Sequence, residues 1–495
     1  MKLGELAAHT ATSSPAAVAL VDTASKRRIS YQTLADLVDQ MATSLLCNGL
    51  GPGHVVGLRA INDAGYVVTL LGAARAGVVV APLDPALPAD EQRDRMHRLG
   101  ARAILTDTAA TPIPDTPELV VDIGEMRCTV SGIPAAGGDP SAVGLTPADA
   151  MVMFTSGTTG RPKMVPWTHD TLAAAMNNVV GTYGLSADDA TVAVMPMFHG
   201  HGLVAALLAT LRSGGRLGLP AKGRFSAQTF FDEVATAGAT WITAVPTIYQ
   251  VLLDTAPSGA PARAGLRFLR SCSAPLSPAV ARRLESAFGA PVLPAYGMTE
   301  ATHQACAVSP AAGPEDRLQT VGAAVGAEIR VVDDRGAACP TGATGEVWLR
   351  GPAVARGYLN DAMATAHTFT DGWLHTRDLG SVDSAGTLTL RGRIKNVINR
   401  GGEKISPERV EEVLLAHADV VQAAVFSVPD AKYGEQVAAV VILRAGTPFD
   451  AEELRVFCGS RLARFEVPER ISAVDSLPVT AKGAVDRNRL AGQFG

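Results

Sequence analysis

The chain has 495 residues, room for about three domain-sized units at roughly 150 residues each. Its 47% apolar and 18% charged residues can bury several cores, which excludes a disordered chain and a small stapled scaffold. With 43 basic and 48 acidic residues the net charge is −5, so no basic footprint for nucleic acid or anionic lipid exists.

Along the chain, residues 31–48 place Leu34, Leu37, Met41, Leu45 and Leu46 near helical spacing. Val55-Val56-Gly57-Leu58, Val78-Val79-Val80, Ala103-Ile104-Leu105 and Val120-Val121 read as buried strands. Helices alternating with such runs predict a parallel sheet covered on both faces. The most apolar stretch, 66–83, contains Gly72, Arg75 and Gly77 and reads as buried structure rather than a membrane span.

After residue 305 or so the texture changes to short strands at 328–332, 345–349 and 387–390, the pattern of a small barrel-like antiparallel subdomain. Beyond 392–394, Ser406 reads as an N-cap with Pro407 at the first helical position, and Val410, Val413 and Leu414 share one face. Strand-like runs follow at 421–428 and 437–443, with a helix from Ala451. The expected fold class is α/β. Residues 1–394 form a large N-terminal region, with parallel-sheet α/β subdomains to about 305 and a β-rich piece over about 306–394. Residues 395–495 form an α+β C-terminal lobe. Six cysteines (Cys47, Cys128, Cys272, Cys306, Cys339, Cys458) lack metal or disulfide spacing and read as reduced core thiols. The first 20 residues are too interrupted by polar groups for a secretory signal. Together these features predict a cytoplasmic protein with no membrane insertion.

The most informative stretch is Thr155-Ser156-Gly157-Thr158-Thr159-Gly160-Arg161-Pro162-Lys163, after an apolar strand and before a helix starting near Thr168. Glycines allow close approach of backbone amides to an anion, while the hydroxyls and Lys163 can bond phosphate oxygens. The pattern is not a Walker loop, whose lysine follows the last glycine directly. On composition alone, a polar surface turn is the competing reading.

This segment resembles the phosphate loop of the adenylate-forming superfamily of acyl-CoA synthetases, adenylation domains and luciferases, and the superfamily's other signatures follow in order. Tyr296-Gly297-Met298-Thr299-Glu300 is similar to the element that stacks adenine on the tyrosine, touches phosphate through the threonine and holds Mg²⁺ through the glutamate. Gly345–Arg350 with Gly351, and Gly357-Tyr358, match the structural motif before the ribose site; Asp378 is then implied on the ribose hydroxyls, Arg393 as the family's arginine, and Lys395 as the hinge. Gly401, Gly402, Glu403 and Lys404 are implied to line the CoA pantetheine tunnel. The resemblance implies ATP, Mg²⁺ and CoA, and two steps. A carboxylic acid attacks ATP to form an acyl-adenylate, then a mobile C-terminal lobe rotates and CoA displaces AMP. A carrier-protein thiol, an amine or another nitrogen nucleophile is the alternative acceptor, and a nucleotide-binding pseudoenzyme is a third reading.

Within the superfamily the chain resembles the oxalate–CoA ligase type most. His199, His201 and His303 with Ser271 and Ser273 would line the acyl pocket, where a buried second carboxylate needs charge-assisted hydrogen bonds. A larger polar or aromatic acid stays open at this stage. The tail departs from the family: 477–487 keeps the surrounding pattern, but Ala484 stands where relatives carry the lysine that bridges carboxylate and α-phosphate. Lys482, about 6.6 Å away along an extended chain, reads as a solvated lysine rather than a surrogate. The chain is then an engineered variant arrested in adenylation, an enzyme that manages otherwise, or a protein that has lost the half-reaction. Arg377 replaces the usual glycine before Asp378 and is expected to strain that turn.

Overall fold

The computed structural model describes all residues except 108–111, 115, 124–128, 133, 135–142, 156–160, 258, 260–263, 445, 479–484 and 495. Among the described residues the strands form five sheets. The largest runs Thr129–Ser131, Glu118–Asp122, Ala103–Asp107, Val55–Arg59, Val79–Pro82, Asp149–Phe154, Met164–Thr168, parallel inside and antiparallel at both edges. Its central strands Val55–Arg59, Val79–Pro82 and Asp149–Phe154 are buried at every position, which is why they read as continuous apolar runs. The apolar stretch 66–83 divides into the helix Ala64–Arg75 and the strand Val79–Pro82, both in the core. Helix Tyr31–Cys47 starts on Ser30, whose side chain accepts from the Thr33 amide, and packs Leu34, Leu37, Val38 and Met41 inward.

A second sheet sets Trp241–Ala244, Phe268–Ser271 and Val292–Tyr296 in parallel, then adds Cys306–Ala307 and Ala323–Ala324 antiparallel. The carboxyl ends of these parallel strands carry the site, the usual place for ligands in open α/β sheets. A four-stranded sheet with Val18–Asp22 at its middle completes the α/β part.

The piece expected to be barrel-like is an open antiparallel sheet. Glu328–Val332, Gly345–Arg350 and Trp373–Val382 lie side by side, and the far edge of Trp373–Val382 is shared by Phe369–Thr370 and Leu388–Arg393. Because one ten-residue strand spends its outer edge on two short partners, the sheet stays open instead of curling shut. The C-terminal sheet orders Glu403–Ile405, Ile398–Arg400, Gly434–Leu443 and Val420–Asp430, with Arg470–Ala473 parallel to Gly434–Leu443. Ser406 caps Pro407–Leu415 as expected, accepting from the Arg409 amide. No helix among the described residues is long and apolar enough to cross a membrane. The described cysteines are free, but Cys47 is exposed rather than a core thiol, because it ends its helix on the outer face. Cys128 lies outside the described residues.

Candidate active site

At the end of Val292–Tyr296, Gly297 leads into the short 3-10 helix Thr299–Ala301. Glycine is required there because the chain doubles back: a Cβ on Gly297 would lie 1.3 Å from the His303 carbonyl oxygen. Thr302 and His303 close the turn at φ 46° and 85°, left-handed values that cost a non-glycine residue roughly 1–2 kcal/mol each. Such strain persists where neighbours over-determine it. Here Trp167 Nε1 donates to the Thr299 carbonyl at 2.8 Å, the Ala355 amide to the Glu300 carbonyl at 2.8 Å, and Thr302 Oγ1 to the Ala353 carbonyl at 2.6 Å.

The nucleotide-side residues converge. The Tyr296 hydroxyl donates to Asp378 at 2.5 Å, and Arg393 Nε lies 2.7 Å from the other carboxylate oxygen. Burial raises the Asp378 carboxyl above its usual range, with Arg393 opposing that shift. Glu300 is buried and accepts from the Tyr358 hydroxyl at 2.8 Å, while Lys163 Nζ sits 4.5 Å from the centre of the Tyr358 ring. The Thr155 amide donates to the Lys163 carbonyl at 3.0 Å. Ser156, Gly157, Thr158, Thr159 and Gly160 lie outside the described residues. The loop connects Asp149–Phe154 to the antiparallel strand Met164–Thr168, and the helix His169–Tyr183 follows, capped by Thr168. Lys163 is therefore held at a hairpin end. Arg377 has φ 62°, the left-handed geometry its position beside Asp378 predicts.

Of the residues expected to line the acyl pocket, His201, Ser273 and His303 cluster around a side chain not singled out above. Arg270, fully buried on Phe268–Ser271, donates from Nη1 to Thr243 Oγ1 (3.0 Å) and His201 Nε2 (3.3 Å). Its Nη2 donates to His303 Nε2 (3.0 Å) and Gln304 Oε1 (2.9 Å), and its Nε to the Tyr183 hydroxyl and Gln304 Oε1, both at 3.2 Å. An arginine only donates, so Nε2 of both histidines accepts and each neutral ring carries its proton on Nδ1. His201 Nδ1 then donates to Ser273 Oγ at 3.1 Å. Burial, followed by the Arg270 charge, holds both imidazoles well below the ordinary histidine range. The positive charge of the cluster thus belongs to Arg270, not to the histidines. All its partners are neutral, and among the described residues no carboxylate pairs with it. Ser271 Oγ is buried with no hydrogen-bond partner among the described residues, and His199 stands beside Phe198 with ring centroids 4.5 Å apart.

The depressed imidazoles fix the sign of a pH effect. Below the ordinary histidine pKa of about 6.5 an unfolded chain protonates at His201 and His303 while the folded chain does not. Native stability is complete above that value and falls as pH drops, by up to about 1.4 kcal/mol per pH unit for each ring. Denaturant titrations between about pH 7 and about pH 5 should show this acid slope, and His303→Gln should flatten it. An equal slope in the variant would remove His303 as a source.

The remaining expected residues sit on the C-terminal lobe. Lys395 lies half-buried in the turn Ile394–Asn396; burial, then the nearby Arg393, lowers its ammonium pKa. Gly401 and Gly402 have φ 60° and 99°, and their amides donate to the Tyr433 carbonyl and to Asn399 Oδ1. Exposed Glu403 lies in the edge strand Glu403–Ile405, and Lys404 Nζ is 3.9 Å from Asp334, so these contacts stand apart from the Arg270 cluster. Ala484 lies outside the described residues. Three positions on, Arg487 grips both carboxylate oxygens of Glu411 at 2.8 and 2.9 Å and donates to the Val425 carbonyl. The frame just beyond Ala484 is thereby anchored to the lobe.

Arg270, Thr243, Gln304 and the tie from Tyr358 to Glu300 escaped assignment from sequence. One signal was available: a charged residue inside the buried-strand run Phe268–Ser271 is rare unless it serves a purpose.

Residues 7–359 match the AMP-binding enzyme family and residues 409–484 match the AMP-binding enzyme C-terminal domain. The chain belongs to this adenylate-forming family and is an ATP-dependent, AMP-forming acyl-CoA synthetase. It is 40% identical over 490 residues to an oxalate–CoA ligase of Arabidopsis thaliana, covering 95% of this chain and 94% of that one. It is 34% identical over 472 residues to a sulfoacetate–CoA ligase of Cupriavidus necator, covering 93% and 92%. Among solved structures, ATP-bound MatB from Rhodopseudomonas palustris superposes with a TM-score of 0.87 at 28% identity, over 100% of this chain and 99% of that chain.

Proposed function

We propose that the acid activated by this ligase carries a second negative group, with oxalate the small dicarboxylate that suits the pocket best. The observation that carries the reading is Arg270, a fully buried guanidinium whose described partners are all neutral. An uncompensated buried charge is costly, and a substrate anion in the same pocket offsets that cost. Arg270 also orients the donors. It leaves His303 Nδ1–H and the Ser273 hydroxyl polarised by the charge behind them. The oxalate and sulfoacetate named for two relatives both pair a carboxylate with a second acidic group, which supports the same reading.

In this reading one carboxylate sits against the His303–Ser273 donors while the other attacks the α-phosphate; pyrophosphate leaves and the acyl-adenylate forms. Tyr296 and Asp378 take adenine and ribose, and Arg393 neutralises the approaching phosphates. Thr155–Lys163 with Thr299 takes the phosphate oxygens. A magnesium ion bound with the triphosphate would supply charge neutralisation for the two anions that must meet. Glu300, one oxygen held by Tyr358, is the residue that would hold it, a donor set that Mg²⁺ accepts when phosphate and water fill the other positions. CoA then attacks the acyl carbonyl and AMP leaves, with 395–495 turning about Lys395 to bring Gly401–Gly402 to the tunnel. Ala484 impairs only the first step.

Calorimetry on the chain in the presence of ATP and Mg²⁺ tests the pocket without requiring turnover. Oxalate should bind at least about tenfold more tightly than acetate, a difference of about 1.4 kcal/mol. Equal affinity for the two would defeat the diacid assignment.

A further inference from the structure

The segment 353–359 stitches together two parts of the nucleotide site that are far apart in sequence. On one side it holds the 299–302 turn, through Ala355 to the Glu300 carbonyl and Thr302 to the Ala353 carbonyl. On the other it reaches the strand that begins just after Lys163: the Leu359 amide donates to the Met164 carbonyl at 2.9 Å. Arg356, ion-paired with the fully buried Asp149 carboxylate, fixes the middle. Tyr358 lies at the junction. Its own amide donates to Thr365 Oγ1 at 2.9 Å and its ring meets Phe369 edge-on at 5.6 Å, so the side chain has little freedom.

From that fixed position one side chain touches two groups. Its hydroxyl donates to Glu300 Oε1 at 2.8 Å, and its ring face seats Lys163 Nζ at 4.5 Å. A phenol this close to a carboxylate oxygen can only donate to it. A carboxylate oxygen bonded in this way is aimed, and its second oxygen is presented in a defined direction. Lys163 on a ring face is held by a modest cation–π attraction and can leave for a phosphate.

We propose that Tyr358 is a positioning residue for the magnesium–triphosphate half of the site, aiming Glu300 through its hydroxyl and parking Lys163 on its ring until nucleotide binds. This rests on the nucleotide-site reading above. ATP affinity measured by calorimetry on the intact chain, with Mg²⁺ and with EDTA, separates the two contacts.

Tyr358→Phe keeps the ring and removes the hydroxyl. It should weaken ATP binding about tenfold with Mg²⁺, the worth of one hydrogen bond to a charged group, and leave affinity in EDTA unchanged. Tyr358→Leu removes the seat as well; because Lys163 gives up that seat for phosphate, this variant should bind ATP in EDTA at least as tightly as the parent while showing the same loss with Mg²⁺. Glu300→Gln should reproduce the Mg²⁺ loss, and adding Tyr358→Phe to it should cost nothing further. A Tyr358→Phe protein with the parent's full Mg²⁺ enhancement, or additive losses in the double variant, would overturn the proposal. A parent chain that binds no ATP with Mg²⁺ would overturn the nucleotide-site reading first, and this proposal with it.

Discussion

Replacing Ala484 with lysine is expected to raise pyrophosphate release, with ATP, Mg²⁺ and the right acid, by at least about 10²–10³-fold. That is the scale on which a preorganised charge acts at a developing anion. A carboxylate and an α-phosphate must approach each other, and 477–487 keeps the family's pattern around a side chain that cannot neutralise either. The anchored Arg487 shows that the position just beyond is held on the lobe rather than drifted. Lys482 is a poor substitute, because even about 1 Å of misplacement can cost 10²-fold. Thioester formation from supplied acyl-adenylate and CoA should proceed equally well in the chain and in Ala484→Lys, since the residues assigned to that step are untouched. Equal pyrophosphate release by the two proteins would show that another cation has taken the role.

Arg270→Met is the second large effect. In the Ala484→Lys background, kcat/KM for the dicarboxylate should fall by about 10²-fold, the worth of the charge-assisted hydrogen bonds that Arg270 lends to the His303 and Ser273 donors. The same substitution frees His303 from accepting at Nε2, while His201 Nε2 keeps Thr243 Oγ1 at 2.6 Å, so the His303 donor facing the substrate loses its fixed direction. ATP affinity with Mg²⁺ is the internal control. It should shift by less than about threefold, a few tenths of a kcal/mol, because Tyr296, Asp378 and Arg393 make no bond to Arg270. A fall in ATP affinity as large as the fall in kcat/KM would make Arg270 a structural residue of the whole cleft.

Much of this was legible in the sequence because it is local. The strand Val79–Pro82, the Ser406 cap and the 296–300 turn depend on residues adjacent in the chain, and the strain at Arg377 follows from one side chain where glycine fits better. The charge hub was not legible, because it is assembled from Tyr183, His201, Thr243, Arg270, His303 and Gln304, brought together only by the parallel packing of Trp241–Ala244 and Phe268–Ser271. No periodicity reports such a convergence. The same blindness misplaced the source of charge: histidines in a pocket suggest cations, whereas burial beside a guanidinium makes them neutral. The open β-rich sheet was misread as barrel-like for a related reason, since closure depends on how Trp373–Val382 shares its edge.

The most direct test of the central claim is CoA-thioester formation by Ala484→Lys with oxalate, sulfoacetate, acetate and a hydroxylated aromatic acid compared at equal ATP, Mg²⁺ and CoA. Oxalate or sulfoacetate should exceed acetate in kcat/KM by at least about 10²-fold, the value of charge-assisted hydrogen bonds worth about 3 kcal/mol. Acetate or the aromatic acid turning over as fast as the doubly charged acids would contradict the account.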